Sequence, residues 1–187
     1  MDSHPAGSLY FIALVPPQPT FDQAWEIKEY FAEKYNSRAA LKSPPHITLY
    51  MPFRMKEKKE AELVDELQAI LREVRAFQID LDGFDAFAPR VIYIDVEKTG
   101  RLSELYQEVR RKMQKLLHQD NADWKNRGFT PHLTVAFRDL KRGHFQEAWE
   151  EFRERPFTAS WNVEDVCLLK HNGKKWNLYK KFNLAQS

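Results

Sequence analysis

Two five-residue stretches decide how this chain folds. They are Pro45-His46-Ile47-Thr48-Leu49 and Pro131-His132-Leu133-Thr134-Val135. Their histidines lie 86 positions apart (132 − 46). Residues two apart on a strand share a face. His46 with Thr48, and His132 with Thr134, therefore form two polar fronts. Ile47, Leu49 and Met51 are expected to form an apolar back, as are Leu133, Val135 and Phe137. The chain holds six His. Two His-x-Thr pairs among six His arise in roughly 2% of shuffled sequences, and the preceding Pro and apolar flanks lower this below about one in a thousand.

Around these stretches, each half of the chain has the same order of elements. Leu9 to Val15 is a dense apolar strand stopped by Pro16 and Pro17. Thr20-x-x-Gln23 resembles a capping box. Phe21, Ala24, Ile27, Phe31 and Tyr35 then recur at helical spacing, which predicts a helix over 20–36. Lys42 to Pro45 is a stiff approach to the first motif, whose strand runs to Phe53. A helix is expected over 57–74, with Val64, Leu67, Leu71 and Val74 inward. A strand over 77–81 and a turn region from Gly83 to Pro89 close the first half.

The second half repeats the plan. Val91 to Val96 is a strand, and 101–118 a helix with Leu102, Leu105, Val109, Met113 and Leu116 inward. A polar loop containing Trp124 leads to the second motif. A helix over 142–154 and strand-like segments around 157–161, 163–171 and 176–184 follow, with Asn172-Gly173 as a hairpin turn. Strand, helix, His-Thr strand, helix, strand thus occurs twice. If a pseudo-twofold axis relates the halves, His46 and His132 face each other across a cleft.

Composition narrows the options. A length of 187 residues, 43% of them hydrophobic, fits one domain or two lobes sharing a core. Net charge is only +2, which does not indicate a protein that coats nucleic acid non-specifically. Cys167 is the single cysteine, so no intramolecular disulfide forms; in VCLLK it reads as strand packing. No signal pattern and no membrane-length apolar run is present. A cytoplasmic monomer is the expectation, with residues 1–7 a disordered tail and 8–185 a single domain of two interleaved lobes.

Two opposed imidazoles suit in-line displacement at phosphorus. Near neutral pH an ordinary His pair can be part neutral, part protonated. One ring takes a proton from the attacking oxygen and the other gives one to the departing oxygen. The Thr hydroxyls can donate to the non-bridging oxygens. A zinc site would need neighbouring ligands that neither motif has, so no metal or cofactor is expected. A non-catalytic pocket for nucleotides or RNA ends stays open as another reading.

The twin motifs resemble the paired His-x-Thr-x signatures of the 2H phosphoesterase superfamily, in its 2′-5′ RNA ligase-like (LigT-like) branch. LYFIALVPP resembles that branch's opening strand, Phe129-x-Pro131-His132 its approach to the second motif, and VCLLKHNGKKWNLYKKFNL its closing hairpin. The resemblance implies an α+β, bilobal fold: two pseudo-twofold-related lobes, each with an antiparallel sheet and flanking helices, and an active-site cleft between them. It implies metal-independent phosphodiesterase chemistry on 2′,3′-cyclic phosphates or 2′-5′ linkages at nucleotide or RNA ends, or the reverse ligation. His46 and His132 match the catalytic histidines, and Thr48 and Thr134 the phosphate-binding threonines. Members often carry Arg five residues after the second His; here that place is Phe137, and Arg138 follows. By strand parity Arg138 shares the His132 side. Lys42, Arg54 and Lys170 are further candidate phosphate contacts, and Phe129 or Trp124 candidate stacking surfaces for a base.

Overall fold

The computed structural model describes residues 7–118 and 128–185. The expected tail, apart from Gly7, lies outside the described residues. Eight antiparallel strands form one sheet in the order β6-β3-β4-β5-β2-β1-β7-β8. They are β1 (Ser8–Leu14), β2 (Ile47–Met55), β3 (Phe77–Phe87), β4 (Val91–Val96), β5 (His132–Ala136), β6 (Thr158–Val163), β7 (Asp165–His171) and β8 (Trp176–Asn183). The helices are α1 (Thr20–Lys34), α2 (Glu60–Leu71), α3 (Gly100–Leu117) and α4 (Arg142–Phe152). The fold is α+β and bilobal. The lobes are the four-strand sets β6-β3-β4-β5 and β2-β1-β7-β8, and they meet where Ile47 of β2 stands opposite Leu133 of β5.

Each half of the sequence lends its closing strand to the other lobe. β3 follows the first motif but pairs with β4 and β6, while β7 follows the second motif but pairs with β1. The helices cross as well. α1 packs against β5, and α3 against β2. One face of the sheet and these helices enclose a continuous core containing Ile12, Phe31, Ile47, Leu49, Val109, Leu133 and Val135. A smaller cluster of Phe11, Ala13, Cys167 and Leu169 occupies the opposite face. Alternation assigns the motif polar residues to that second face, because Thr48 stands opposite Ala13.

Both motif strands carry the same irregularity. Ala13 pairs with Thr48 and Ile12 with Tyr50, so Leu49 is an extra residue on β2. Tyr93 pairs with Thr134 and Ile92 with Ala136, so Val135 is an extra residue on β5. A bulge of this kind reverses the alternation beyond it. The expected apolar backs therefore end early. Tyr50 is buried, while Met51 is 54% exposed.

Other boundaries shift for local reasons. β3 runs to Phe87 rather than ending before Gly83, because Asp82 and Gly83 bulge opposite Asp95 and Gly83 takes φ +66, a conformation open to glycine. α1 has Pro19 at its N-cap and no side-chain cap; Thr20 lies inside the first turn and is buried, so no capping box forms. In α2 the fully buried residue of the first turn is Leu63 rather than Val64. The β7–β8 connection is a four-residue turn in which Asn172 Oδ1 accepts from the Lys174 and Lys175 amides.

Candidate active site

The two motif histidines are held alike. His46 Nδ1 lies 2.7 Å from the Pro44 carbonyl, and His132 Nδ1 lies 2.8 Å from the Thr130 carbonyl. A carbonyl only accepts, so each Nδ1 carries the hydrogen and each Nε2 keeps its lone pair. Among the described residues, neither Nε2 and neither motif Thr hydroxyl has a hydrogen-bond partner. All four side chains are half-buried, and so reachable from solvent. With Ile47 opposite Leu133 in an antiparallel pair, His46 lies toward Thr134 and Thr48 toward His132. The four groups form two crossed His/Thr pairs about the seam between the lobes.

Aromatic rings fix the outer side of each imidazole. The Phe11 ring lies 4.7 Å from that of His46 and is itself met edge-on by Trp176 at 4.6 Å. On the other lobe, Phe87 lies 5.0 Å from His132, edge to face, and Tyr93 lies 5.2 Å away. Phe87 is 41% exposed, so part of its ring remains open beside the histidine.

The rings are not electrostatically equal. Burial pushes the His46 pKa down to about 3, and the charges of Lys28 and His132 add to the fall; the Pro44 hydrogen bond opposes it. Burial also lowers His132, but the Thr130 hydrogen bond and the Asp95 carboxylate pull it back. Both rings are therefore neutral near pH 7, whereas an ordinary His pair would be partly charged. His132 is the one whose surroundings favour a proton.

The other candidate contacts divide. Lys170 is turned away from the motif face. It stands opposite Tyr10 on the helix side of the sheet and forms ion pairs with Glu57 (3.1 Å) and Glu60 (2.5 Å). Arg138 does not share the His132 side by simple parity: the strand ends at Ala136, Val135 has already reversed the alternation, and Arg138 sits at φ 60 with its guanidinium over the Phe137 ring at 5.1 Å. Phe129, half-buried, stacks one face on Tyr106 of α3, with centroids 3.9 Å apart. Lys42 closes the turn Ala39–Lys42 with an exposed side chain. Arg54 donates to the Gly7 carbonyl at the far end of β2. Trp124 lies outside the described residues. Cys167 is buried, with its thiol pushed up to about 12 by burial and by Asp165.

Sequence reading missed Lys28, the aromatic supports Phe11, Phe87, Tyr93 and Trp176, and Asp139. Lys28 carried a signal: it lies four residues after Ala24 and three before Phe31, on the buried stripe of α1. Among the described residues no group of three or more His, Cys, Asp or Glu side chains is arranged to hold a metal ion. A cavity of about 410 Å³ lies at the start of α3, lined by Arg75, Ala76, Phe77, Gln78, Thr99 and Arg101; it contains none of the motif residues.

A fold of two crossed half-sheets with a His/Thr pair from each defines a class, and comparison with known proteins places the chain in it. The family model described as the 2′-5′ RNA ligase superfamily matches residues 16–175. The "Putative phosphoesterase" of Geobacillus sp. (strain WCH70) is 30% identical over 177 residues, spanning 92% of this chain and 94% of that protein. The crystal structure of TT0787 of Thermus thermophilus matches with a TM-score of 0.69 at 21% identity, over 96% of this chain and 99% of that one. The crystal structure of E. coli LigT complexed with 3′-AMP matches with a TM-score of 0.64 at 19% identity, over 96% and 99% of the two chains. The chain belongs to the 2′-5′ RNA ligase superfamily and is a LigT-like 2H phosphoesterase.

Proposed function

We propose that this protein is a metal-independent phosphodiesterase that opens 2′,3′-cyclic phosphates, or cleaves 2′-5′ linkages, at nucleotide or RNA ends. The observation that carries this reading is the crossed quartet. Two imidazoles with free Nε2 atoms and two hydroxyls without partners among the described residues share one face of the seam. E. coli LigT, a structural neighbour, has been solved with 3′-AMP, which supports a nucleotide as the ligand class.

His46, the harder ring to protonate, is the base, and His132, beside Asp95, is the acid. The anionic phosphodiester favours the protonated form of an adjacent imidazole, which supplies His132 with its proton when substrate binds. His46 Nε2 takes a proton from water as the water oxygen bonds to phosphorus. The bond from phosphorus to one ribose oxygen breaks, and His132 Nε2–H protonates that oxygen. Return of the proton from His46 to His132 through solvent resets the site. Thr48 and Thr134 donate to the non-bridging oxygens, where charge must be held in the transition state. Each proton transfer is worth ~10²–10⁴ in rate. Ligation would put a 5′-hydroxyl in place of water: one imidazole takes its proton as its oxygen bonds to the phosphorus of a 2′,3′-cyclic phosphate, the bond from phosphorus to the 3′-oxygen breaks, and the other imidazole protonates that oxygen, leaving a 2′-5′ linkage.

The test is a panel of cyclic mononucleotides, 2′-5′ dinucleotides and RNA with cyclic-phosphate ends, with products followed by phosphorus NMR. Wild type is expected to turn over at least one class in the presence of EDTA. His46→Ala and His132→Ala are each expected to abolish turnover while keeping the wild-type circular dichroism spectrum. Binding of the whole panel without turnover would instead make the site a nucleotide-binding groove.

A further inference from the structure

The stretch between α1 and His46 is gripped at both ends by polar side chains. At its start, the Asp139 carboxylate accepts three hydrogen bonds: from Ser37 Oγ at 2.9 Å, from the Arg38 amide at 2.8 Å and from the Ala39 amide at 2.9 Å. Asp139 follows β5 and lies seven residues after His132. At the end of the stretch, Lys28 Nζ donates to the Ala40 carbonyl at 3.1 Å and the Ser43 carbonyl at 3.0 Å. Lys28 belongs to α1, the helix that packs on β5. The Ala39–Lys42 turn is thus bound by a carboxylate at its amide end and by the Lys28 amine, a donor in either protonation state, at its carbonyl end, where a short helix leaves such groups unpaired.

Both grips originate on the His132 side of the molecule and both act on the His46 side. Immediately beyond the gripped stretch come Pro44, whose carbonyl accepts from His46 Nδ1, and Pro45. A shift of the turn would move that carbonyl and swing the imidazole it orients. Burial argues that the grip is specific. Lys28 is 1% exposed and Ser37 0%, and a buried ammonium or hydroxyl is retained only where its hydrogen bonds are met. His144 adds a third tie, donating from Nδ1 to the Tyr35 carbonyl at 3.0 Å.

We propose that Lys28 and Asp139 are positioning residues that act as one clamp, fixing His46 relative to His132 across the seam. Neither touches substrate, since Lys28 is enclosed and Asp139 is committed to the turn. This inference rests on the two-histidine reading of the site, but its structural content can be read without turnover. The groups bearing on the His46 ring are Lys28 from α1, His132 from β5 and the Pro44 carbonyl. The Lys28 ammonium lowers the affinity of that ring for protons, so its removal raises the His46 pKa.

The experiment uses the full chain with Lys28→Met, Asp139→Asn, Asp139→Ala and the Lys28→Met/Asp139→Ala pair. The first readout is imidazole NMR, following the His46 and His132 ring signals with pH. Lys28→Met is expected to move the His46 titration upward and to weaken its Nδ1–H···Pro44 signal, leaving the Thr130-bound signal of His132 in place. The second readout is hydrolysis of a 2′,3′-cyclic phosphate. Each single variant is expected to lose ~10- to 100-fold in kcat, since small misplacements of a reacting group cost this much, with KM within about twofold. The double variant is expected to lose no more than the worse single variant, as groups that act as a unit do. Asp139→Asn, which keeps side-chain volume and one acceptor oxygen, provides a folded variant should the alanine change unfold the chain. Equal disturbance of both histidine signals would overturn the clamp, as would unchanged kcat in folded single variants or losses that multiply in the double. A wild type without turnover would defeat the phosphodiesterase reading, while the NMR result would still decide the clamp.

Discussion

A lysine with its amine buried under α1 leaves a mark on stability as well as on the site. Burial lowers the Lys28 pKa from 10.5 to about 7. Between these values the unfolded chain binds the proton and the folded chain does not, so this group makes stability rise with pH. His46 acts in the same sense lower down, between its ordinary 6.5 and about 3: its contribution is complete above 6.5 and is lost as pH falls. Urea denaturation at pH 7.5 and 9.5 is expected to show wild type gaining ~2 kcal/mol from Lys28, at 1.36 kcal/mol per unit, and Lys28→Met showing little of that gain. The motif threonines make a separate prediction. Thr48→Val and Thr134→Val keep the strand residue type and remove only a donor. Each is expected to lower kcat by ~10²–10³, the usual effect of deleting one oxyanion donor, with thermal unfolding close to wild type. Steady-state kinetics on the best substrate of the panel measures this.

At the scale of elements, strands and helices were mostly legible in the sequence, because apolar periodicity reports which face meets a core. Leu102, Leu105, Val109 and Met113 are buried in α3 at the expected spacing, and Leu116, in the last turn, is half-buried. The bulges were not legible. No residue type marks Leu49 or Val135 as the one the neighbouring strand leaves unpaired, so parity misplaced Met51 and Arg138. The fate of Lys170 was hidden for a related reason, since its partners Glu57 and Glu60 lie more than a hundred residues away in sequence. The His/Thr fronts were legible because both lie before their bulge. Glu60 shows what Lys170 does instead. It accepts from Tyr10, Lys170 and Tyr179, so α2 is fastened to β1, β7 and β8. Burial alone would raise its pKa, but these three donors bring it to about 2. Glu151 of α4 is held near the same value: burial again opposes, and Lys34, Tyr30 and Tyr35 outweigh it. The stability from both carboxylates is present above pH 4.5 and is lost as pH falls toward 2. Glu60→Gln is expected to cost ~1–3 kcal/mol at pH 7, through weakened bonds to three donors, with the deficit shrinking in acid. Denaturation curves at pH 7 and pH 3 test it.

For the whole molecule, the exchange of β3 and β7 is the governing feature. The lobe β2-β1-β7-β8 joins strands from before and after the continuous run β3 to β6 that forms the other lobe, and α1 and α3 each cover the motif strand of the opposite half. Heat or denaturant is therefore expected to produce one cooperative transition, with circular dichroism and tryptophan fluorescence coinciding. Polypeptides 1–89 and 90–187 are expected to be unfolded alone. Mixed together, they are expected to recover helix signal and activity, because each supplies the strand the other lacks.

The same exchange bears on how the protein comes into being at the ribosome. β1 leaves the tunnel long before its neighbour β7 is made. Ile47 likewise waits for Leu133 before the seam can close. Loop closure over such distances makes folding slow and late. Nascent chains therefore carry an open β1 edge until β7 emerges and an unpaired first motif until β5 emerges, and a message cut short before β5 encodes only half of the His/Thr quartet.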